Sequence, residues 1–390
     1  MSSEGATSSF SRQRGRAAVC CGAAILLLAA CSSHQRISAE ALRERATREE
    51  AALLKRVRVY DEGRLAEYLG AVAGRVAGVA GVAGGAGVRI TVIADPTLAA
   101  FALPGGRVFV HTGLLSAIEN EAQLAMILAR ELAHEASGLT ASARKAPMST
   151  VALSPTAAAL LGLDLRLTAR AAIDGYGSDG ERAADAEALR RLTAAAYDPR
   201  EAADVFRVLA ASDADRLGLA EIFVYGNRDR LSERGGVWRE LLQLATRPGE
   251  NAAGRAGELA RRMRSVIRDN AALDIRAERF ALAQRQLDRV IALDPNDALA
   301  QLHYGELYRL QSQRNEDPER AENARRAIER YGRAAELDPR SAEPFRQLAL
   351  LHYQQGDLAH AREAFERSLA LAGDGPDARR IREYLAILGQ

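Results

Sequence analysis

Residues 120–134 read NEAQLAMILARELAH and decide the fold of the first half of the chain. The stretch predicts a helix, because helical patterns dominate the chain from Glu119 onward. Residues four positions apart share one face of a helix, so Arg130 and His134 are expected on the same face, with Glu131 beside Arg130. An acid next to the first of two such positions is typical of a zinc-binding helix, although that first position holds arginine here.

Short strands and further helices surround this helix in the sequence. Residues 88–93 alternate or are β-branched, and residues 108–110 follow the turn at 104–106, so both segments are predicted strands. Residues 39–69 carry apolar side chains at helical spacing and predict a helical lead-in. The chain is therefore expected to be mainly α (α+β), with a small β-sheet.

The C-terminal third of the chain contains a repeat of roughly 34 residues. The middle copy has Ala327 and Tyr331 where the last copy has Ala361 and Phe365, and two copies contain Leu-Asp-Pro. This pattern predicts tetratricopeptide repeats over residues 263–390, which form an α-helical solenoid. Such a solenoid presents a concave surface to a protein partner. The alternative is a helical cap that only stabilises its neighbour.

The N-terminus has the pattern of a targeting segment. Three arginines precede an apolar run at residues 17–30 that is too short to suit a membrane-spanning helix. The run ends in LAAC at residues 28–31, which resembles the bacterial lipobox. We therefore predict a signal peptide over residues 1–30, lipidation of Cys31, and sorting to the outer membrane facing the periplasm, which Ser32 favours by that resemblance. The alternative is an uncleaved anchor with an incidental cysteine.

Composition excludes several classes of function. The 53 basic and 51 acidic residues leave a formal charge of +2, and no dense basic run stands out, so nucleic acid is not an expected partner. All three cysteines lie in the first 31 residues, so the rest of the chain has no thiol for a disulfide, a zinc site or catalysis. The Gly-x-Ser-x-Gly and P-loop motifs are absent. A pair of catalytic carboxylates of the glycosidase type is an open alternative, because acidic residues are plentiful in the chain.

Four blocks resemble the membrane-associated zinc metallopeptidases of family M48, of the HtpX and BepA type. They are residues 101–106, 113–115, 120–134 and 181–199. The resemblance implies a zincin-like domain over residues 61–246, preceded by the helical lead-in at 31–60. A break in the pattern at residues 247–251 suggests a linker over residues 247–262, before the repeats.

The resemblance also implies where a zinc site would lie and which of its residues are lost. Glu131 is at the position of the general base and His134 at that of the second ligand. The first ligand position is Arg130, which has no lone pair to donate, and the third is Ala183, which has no donor atom. We therefore expect no zinc and a vestigial site. We further hypothesise that Arg130 occupies the space of the ion and pairs with Asp185, whose family counterpart supports the site.

Two residues are candidate replacement ligands. Glu187 lies one turn beyond Ala183, and His111 ends the second predicted strand, but neither is expected to restore the geometry.

Three functions are consistent with these sequence features. The first is an envelope lipoprotein that is tethered through Cys31, binds a protein through its repeats, and acts as a scaffold or chaperone-like factor in envelope protein assembly or quality control. The second is an active zinc endopeptidase with unconventional ligands. The third is a purely structural subunit of an envelope complex.

Overall fold

The computed structural model describes residues 39–78, 87–136, 177–214, 228–244, 253–373 and 375–389. The predicted signal peptide and Cys31 lie outside these ranges, as do the Gly/Ala/Val run at 79–86 and residues 137–176. Within the described ranges, no helix combines the length and the apolar character needed to cross a membrane.

Helices make up most of the described chain. In the first part they are α1 (Ala39–Leu54), α2 (Gly63–Ala77), α3 (Thr112–Ala117), α4 (Glu121–Ala136), α5 (Gly177–Ala194), α6 (Pro199–Ala203), α7 (Val205–Ala214) and α8 (Arg228–Leu244). In the second part they are α9 (Ala253–Arg276), α10 (Phe280–Leu293), α11 (Ala298–Arg314), α12 (Glu319–Leu337), α13 (Ala342–Gln354), α14 (Leu358–Ala372) and α15 (Ala378–Leu388). The expected class, mainly α with a small sheet, is confirmed.

A three-stranded sheet separates two apolar layers. Its strands are β1 (Arg89–Ile93), β2 (Ala100–Leu103) and β3 (Arg107–His111), in the order β1-β3-β2. β3 runs parallel to β1 and antiparallel to β2. The tight turn from β2 to β3 depends on Gly105 and Gly106, whose φ values of 93° and 72° favour glycine. Successive side chains of a strand point to opposite faces, so β3 contributes to both layers.

The two faces of the sheet have different neighbours. Val108 and Val110 belong to the main core, together with the apolar residues of α4. Phe101 and Phe109 stack on each other, with ring centroids 5.0 Å apart, and belong to a smaller cluster with Leu53 of α1. Because Val108 and Val110 face the core around α4, the alternate residues of β3 point away from it.

The helix α4 is the centre of the main core. Every residue from 121 to 134 is buried, because α2, α5, α6 and the sheet pack around it. A buried helix is normally apolar on all sides. The polar residues of α4 are therefore the ones that need an explanation, since a buried charge is costly unless it is paired.

The predicted linker at residues 247–262 is wrong for residues 253–262. These residues form the first part of α9, which continues to Arg276 without a break. Leu259 and Met263 on α9 are both 1% exposed and belong to the main core. Burial of these apolar side chains holds the segment as a helix, although Arg247, Pro248 and Gly249 interrupt the sequence pattern just before it.

Polar contacts join the first two helices of the repeat region to α3. Asn270 of α9 accepts a hydrogen bond from Thr112 Oγ1 at 2.9 Å. Arg289 of α10 donates to the carbonyl oxygens of Ser116 and Ile118 at 2.5 and 3.1 Å. These carbonyls lie at the end of the short α3, so the arginine satisfies acceptors that a helix end leaves unpaired.

Pairs of antiparallel helices then follow in the repeat pattern. The pairs are α9 with α10, α11 with α12, and α13 with α14, and α15 packs on α14. The small and aromatic positions interlock as the sequence predicted: Ala327 and Tyr331 of α12, and Ala361 and Phe365 of α14, are all fully buried. Tyr384 of α15 stacks on Phe365 at 4.9 Å between ring centroids.

We expect Gly305→Ala to lower the free energy of unfolding by about 1–3 kcal/mol, because the core around it has no room for a methyl group. A Cβ at position 305 would lie 2.4 Å from Cδ1 of the buried Tyr331. Gly332→Ala is the matched control, since a Cβ there meets nothing within 4 Å. Chemical denaturation measures both variants, and equal unfolding free energies for the two would contradict the packing described here.

Candidate functional site

Four buried polar side chains meet where α4 packs against α5. Arg130, Glu131 and His134 come from α4 and are 1%, 4% and 1% exposed, and Asp185 of α5 is 2% exposed. Nε of Arg130 lies 3.3 Å from Oδ1 of Asp185, and Nη1 of Arg130 lies 3.6 Å from Oε1 of Glu131. The predicted pairing of Arg130 with Asp185 is therefore present in the structure.

The arginine is held between two carboxylates. Its guanidinium is charged at any pH that a protein tolerates, so it offsets negative charge that would otherwise be buried alone. Buried ion pairs contribute little to stability relative to apolar residues, but removal of one partner is strongly unfavourable. Arg130 is thus a positive charge placed between acids that, by the resemblance, stand beside a divalent cation in the zinc peptidases.

Zinc fits this set of side chains poorly. A catalytic zinc needs three protein ligands with lone pairs, and Arg130 offers none at the first ligand position. Of the six histidines in the chain, only His111 and His134 lie in the expected peptidase-like domain at residues 61–246. A second imidazole for the site would therefore have to be that of His111.

His111 lies on the wrong face of the sheet for this role. It alternates with Val110, which faces the core around α4, and its ring contacts Phe101 edge-on at 6.4 Å between centroids. Its Nδ1 lies 2.6 Å from Oγ1 of Thr97 and 3.4 Å from Oδ1 of Asp95. The expectation that His111 does not rescue the zinc site agrees with this placement.

The carboxylate of Asp95 is kept ionised by these neighbours. Burial opposes its ionisation, but hydrogen bonding with His111 and Thr97 outweighs burial and holds the pKa of Asp95 well below its usual range. Oδ1 of Asp95 accepts from both the backbone N–H and the hydroxyl of Thr97, at 2.8 and 2.6 Å. The three residues form a hydrogen-bonded cluster at the end of β3.

The structure corrects the position assigned to the third ligand. Ala183 is exposed, whereas Ala184, Asp185 and Ala188 are buried. A ligand has to lie on the face of α5 that packs on α4, and Ala183 does not. Helical spacing instead places position 181, a glutamate, one turn before Asp185 on the same face. Ala183 therefore does not face α4, and Arg130 and Asp185 are the positions of this pattern that the packing of α5 on α4 brings together.

Both carboxylate oxygens of Glu187 are in contact with arginine side chains. Its Oε1 accepts from Nε of Arg191 at 2.6 Å, and the other carboxylate oxygen pairs with Arg190. The expectation that Glu187 does not replace the missing ligand agrees with these contacts. Arg130, at the first ligand position, is unable to bind a metal by its own chemistry.

Sequence reasoning missed a second polar cluster at the start of α4. Both oxygens of Glu121 are used: Oε2 accepts from Tyr68 at 2.6 Å, and Oε1 accepts from Tyr197 at 2.7 Å and from Arg75 at 2.6 Å. Burial and the hydrogen bond to Glu121 raise the pKa of Tyr197 to about 12. The cluster ties α4 to α2 and to the end of α5. Its hydrogen-bonded pairs are 46 to 122 residues apart in the chain, so no local spacing signals it.

Comparison with known proteins agrees with this architecture. Residues 64–250 match peptidase family M48, and residues 318–386 match the tetratricopeptide repeat. The mitochondrial metalloendopeptidase OMA1 of Arabidopsis thaliana is 29% identical over 180 residues, which are 43% of this chain and 35% of that protein. The OMA1 proteins of Schizosaccharomyces pombe and Saccharomyces cerevisiae are 32% and 33% identical over 139 and 136 residues, which are 35% and 31% of this chain.

These alignments cover only part of each relative. The matched region is 41% of the fission-yeast protein and 37% of the budding-yeast protein, so the chain spans well under half the length of the curated relatives that it matches. The family M48 match contains α4, and the repeat match covers the residues from α12 into α15. This chain therefore carries a peptidase family M48 domain followed by tetratricopeptide repeats.

Proposed function

We propose that this protein is a non-hydrolytic member of its fold, in which a buried arginine takes the place of the catalytic zinc, and that it acts by binding other proteins. One observation carries the proposal: Arg130 lies 3.3 Å from Asp185 in the buried contact between α4 and α5. A guanidinium at the first ligand position adds positive charge where zinc would add its own, and the two exclude each other by repulsion.

The repeats supply the binding activity in this proposal. Tetratricopeptide repeats stack into a solenoid whose concave side engages proteins or peptides. Their first pair of helices is joined to the peptidase-like domain through Asn270 and Arg289, so the partner would be held beside that domain. The setting we propose is the bacterial cell envelope, where the protein acts as a scaffold or chaperone-like factor in assembly or quality control.

A binding and cleavage assay tests this function. The full chain, supplied with zinc, is incubated with an unfolded probe, reduced and carboxymethylated lactalbumin. We expect the probe to be bound and to stay intact. Cleavage that a chelator stops, and that Glu131→Gln abolishes, would contradict the proposal, since Glu131 is the position of the general base.

A second candidate function is an active zinc endopeptidase with unconventional ligands. The retention of Glu131 and His134 in one buried site favours it, as does the printed name metalloendopeptidase of the relatives. The same cleavage assay separates the two functions, because only the second predicts chelator-sensitive loss of the probe. Absence of both binding and cleavage would instead favour a purely structural subunit.

The proposed membrane anchor has its own test. We expect the chain, expressed in a Gram-negative bacterium, to incorporate labelled fatty acid and to fractionate with the outer membrane. Cys31→Ser should abolish the labelling, because the thiol carries the lipid, and should release the chain from the membrane fraction. Cys20→Ser is the matched control and should leave both results unchanged. Labelling that persists in Cys31→Ser would contradict the anchor.

A further inference from the structure

Three side chains of the types that bind metal ions lie close together in the last full repeat. In the sequence they are far from α4. His352 is in the last turn of α13, Asp357 precedes the first turn of α14, and His360 is in that first turn. One candidate ligand atom from each of the three residues lies within 4.8 Å of those of the other two. Gly356, with φ of 79°, makes the tight turn that brings the two helix ends together.

The two imidazoles are arranged around one carboxylate oxygen. Nδ1 of His360 lies 2.7 Å from Oδ2 of Asp357, and Nδ1 of His352 lies 3.5 Å from the same oxygen. The two rings lie side by side, with centroids 5.3 Å apart and planes 29° apart. Both nitrogens thus approach the oxygen from the two helices at once.

The distances resemble those between ligands of one ion. Two ligand atoms that are each ~2.0–2.1 Å from a tetrahedral zinc are about 3.3 Å from each other. The observed 2.7 and 3.5 Å lie on either side of that value. All three candidate ligand atoms lie within 4.8 Å of one another, a span that one ion can bridge.

One nitrogen of the group is also left without a hydrogen bond. Nδ1 of His352 is buried, and no hydrogen-bond partner is found for it among the described residues. The 3.5 Å to Asp357 is longer than a well-formed N–H···O hydrogen bond. A buried polar atom without a partner is destabilising. A bound cation would satisfy it, because a neutral imidazole nitrogen donates its lone pair to a metal.

We propose that His352, Asp357 and His360 bind a divalent transition-metal ion of the zinc class, which links α13 to α14. Two imidazoles and one carboxylate suit zinc, nickel or copper better than magnesium or calcium, which prefer oxygen ligands. Water fills the remaining coordination positions, since His360 and Asp357 face solvent with side chains 66% and 40% exposed. The ion stabilises the helix pair that closes the repeat array.

The test uses zinc itself and the full chain. Zinc affinity is measured by competition with a chromophoric chelator, and the effect of zinc on the thermal unfolding midpoint is measured by calorimetry. We expect His360→Ala to weaken zinc binding by more than about tenfold and to remove the zinc-dependent rise of the midpoint. Because His360 is exposed, this variant should fold. Glu363→Ala, an exposed acid further along α14, is the matched control and should keep wild-type affinity.

A cobalt spectrum supplies an independent readout of the ligands. Cobalt bound to the wild-type chain should give visible absorption bands that His352→Ala and His360→Ala both alter. Equal zinc affinity in the wild type and His360→Ala would overturn the proposal, as would cobalt spectra that neither substitution changes. A wild-type zinc affinity too weak to raise the unfolding midpoint would also overturn it. None of these outcomes depends on the site at Arg130.

Discussion

Replacement of Arg130 with alanine is expected to lower the free energy of unfolding by about 3–5 kcal/mol, because it leaves buried acids without their positive partner. Asp185 is 2% exposed and Glu131 is 4% exposed, so water does not compensate for the lost charge. Chemical denaturation of the wild type and the variant measures the difference. Arg190→Ala is the matched control: its side chain is 74% exposed, and we expect a change within about 0.5 kcal/mol.

The partner of Arg130 is identified by a double-mutant cycle. Arg130→Ala, Asp185→Ala and the double variant should show a coupling energy of about 0.5–3 kcal/mol, since the two side chains are in contact. The double variant should then be less destabilised than the sum of the single variants. Additive losses would show that Arg130 and Asp185 act independently, and an Arg130→Ala variant as stable as the wild type would remove the basis for a charge that replaces metal.

The second large effect expected is a gain of zinc binding in Arg130→His. This substitution removes the repelling guanidinium and places an imidazole one helical turn before His134, so that two imidazoles share one face of α4. Helical spacing places position 181, a glutamate in the sequence, one turn before Asp185. We expect near-stoichiometric zinc in this variant and little in its parent. Each is prepared with His352→Ala and His360→Ala, so that metal in the repeats does not contribute.

The control for this gain is a second change at the same site. Addition of His134→Ala to the Arg130→His variant should remove the zinc, because one imidazole and one carboxylate do not hold a catalytic zinc. Zinc that survives the loss of His134 would show that the metal binds elsewhere. Arg130→His without any zinc would show that the site lacks a usable carboxylate as well as a first histidine.

The sequence predicted the elements whose signals are local. The helix at 120–134, the strands at 88–93 and 108–110 and the interlocked Ala327 and Tyr331 of the repeats all follow from short spacings, whereas β2 at 100–103 was not predicted. The pairing of Arg130 with Asp185 was predicted as well, because the resemblance placed Asp185 beside the site. These features depend on a few residues that are close together in the chain or fixed by a motif.

The features that the sequence did not reveal depend on which face of an element is buried. Ala183 and Asp185 are two residues apart, and only the packing of α5 on α4 distinguishes the exposed position from the buried one. The Pro-Gly break at residues 248–249 suggested a longer linker, but burial of Leu259 and Met263 extends the helix back to residue 253. The cluster around Glu121 and the group around Asp357 unite side chains whose approach is set by tertiary packing or by one tight turn.

The zinc content of the chain tests the central claim most directly. The His352→Ala/His360→Ala variant, with Arg130 intact, is expressed with added zinc, purified without chelator and analysed by mass spectrometry. The account predicts a folded protein without zinc at the site of α4 and α5. Near-stoichiometric zinc that is lost on further substitution of His134 would contradict it, because a metal would then occupy the place assigned to Arg130.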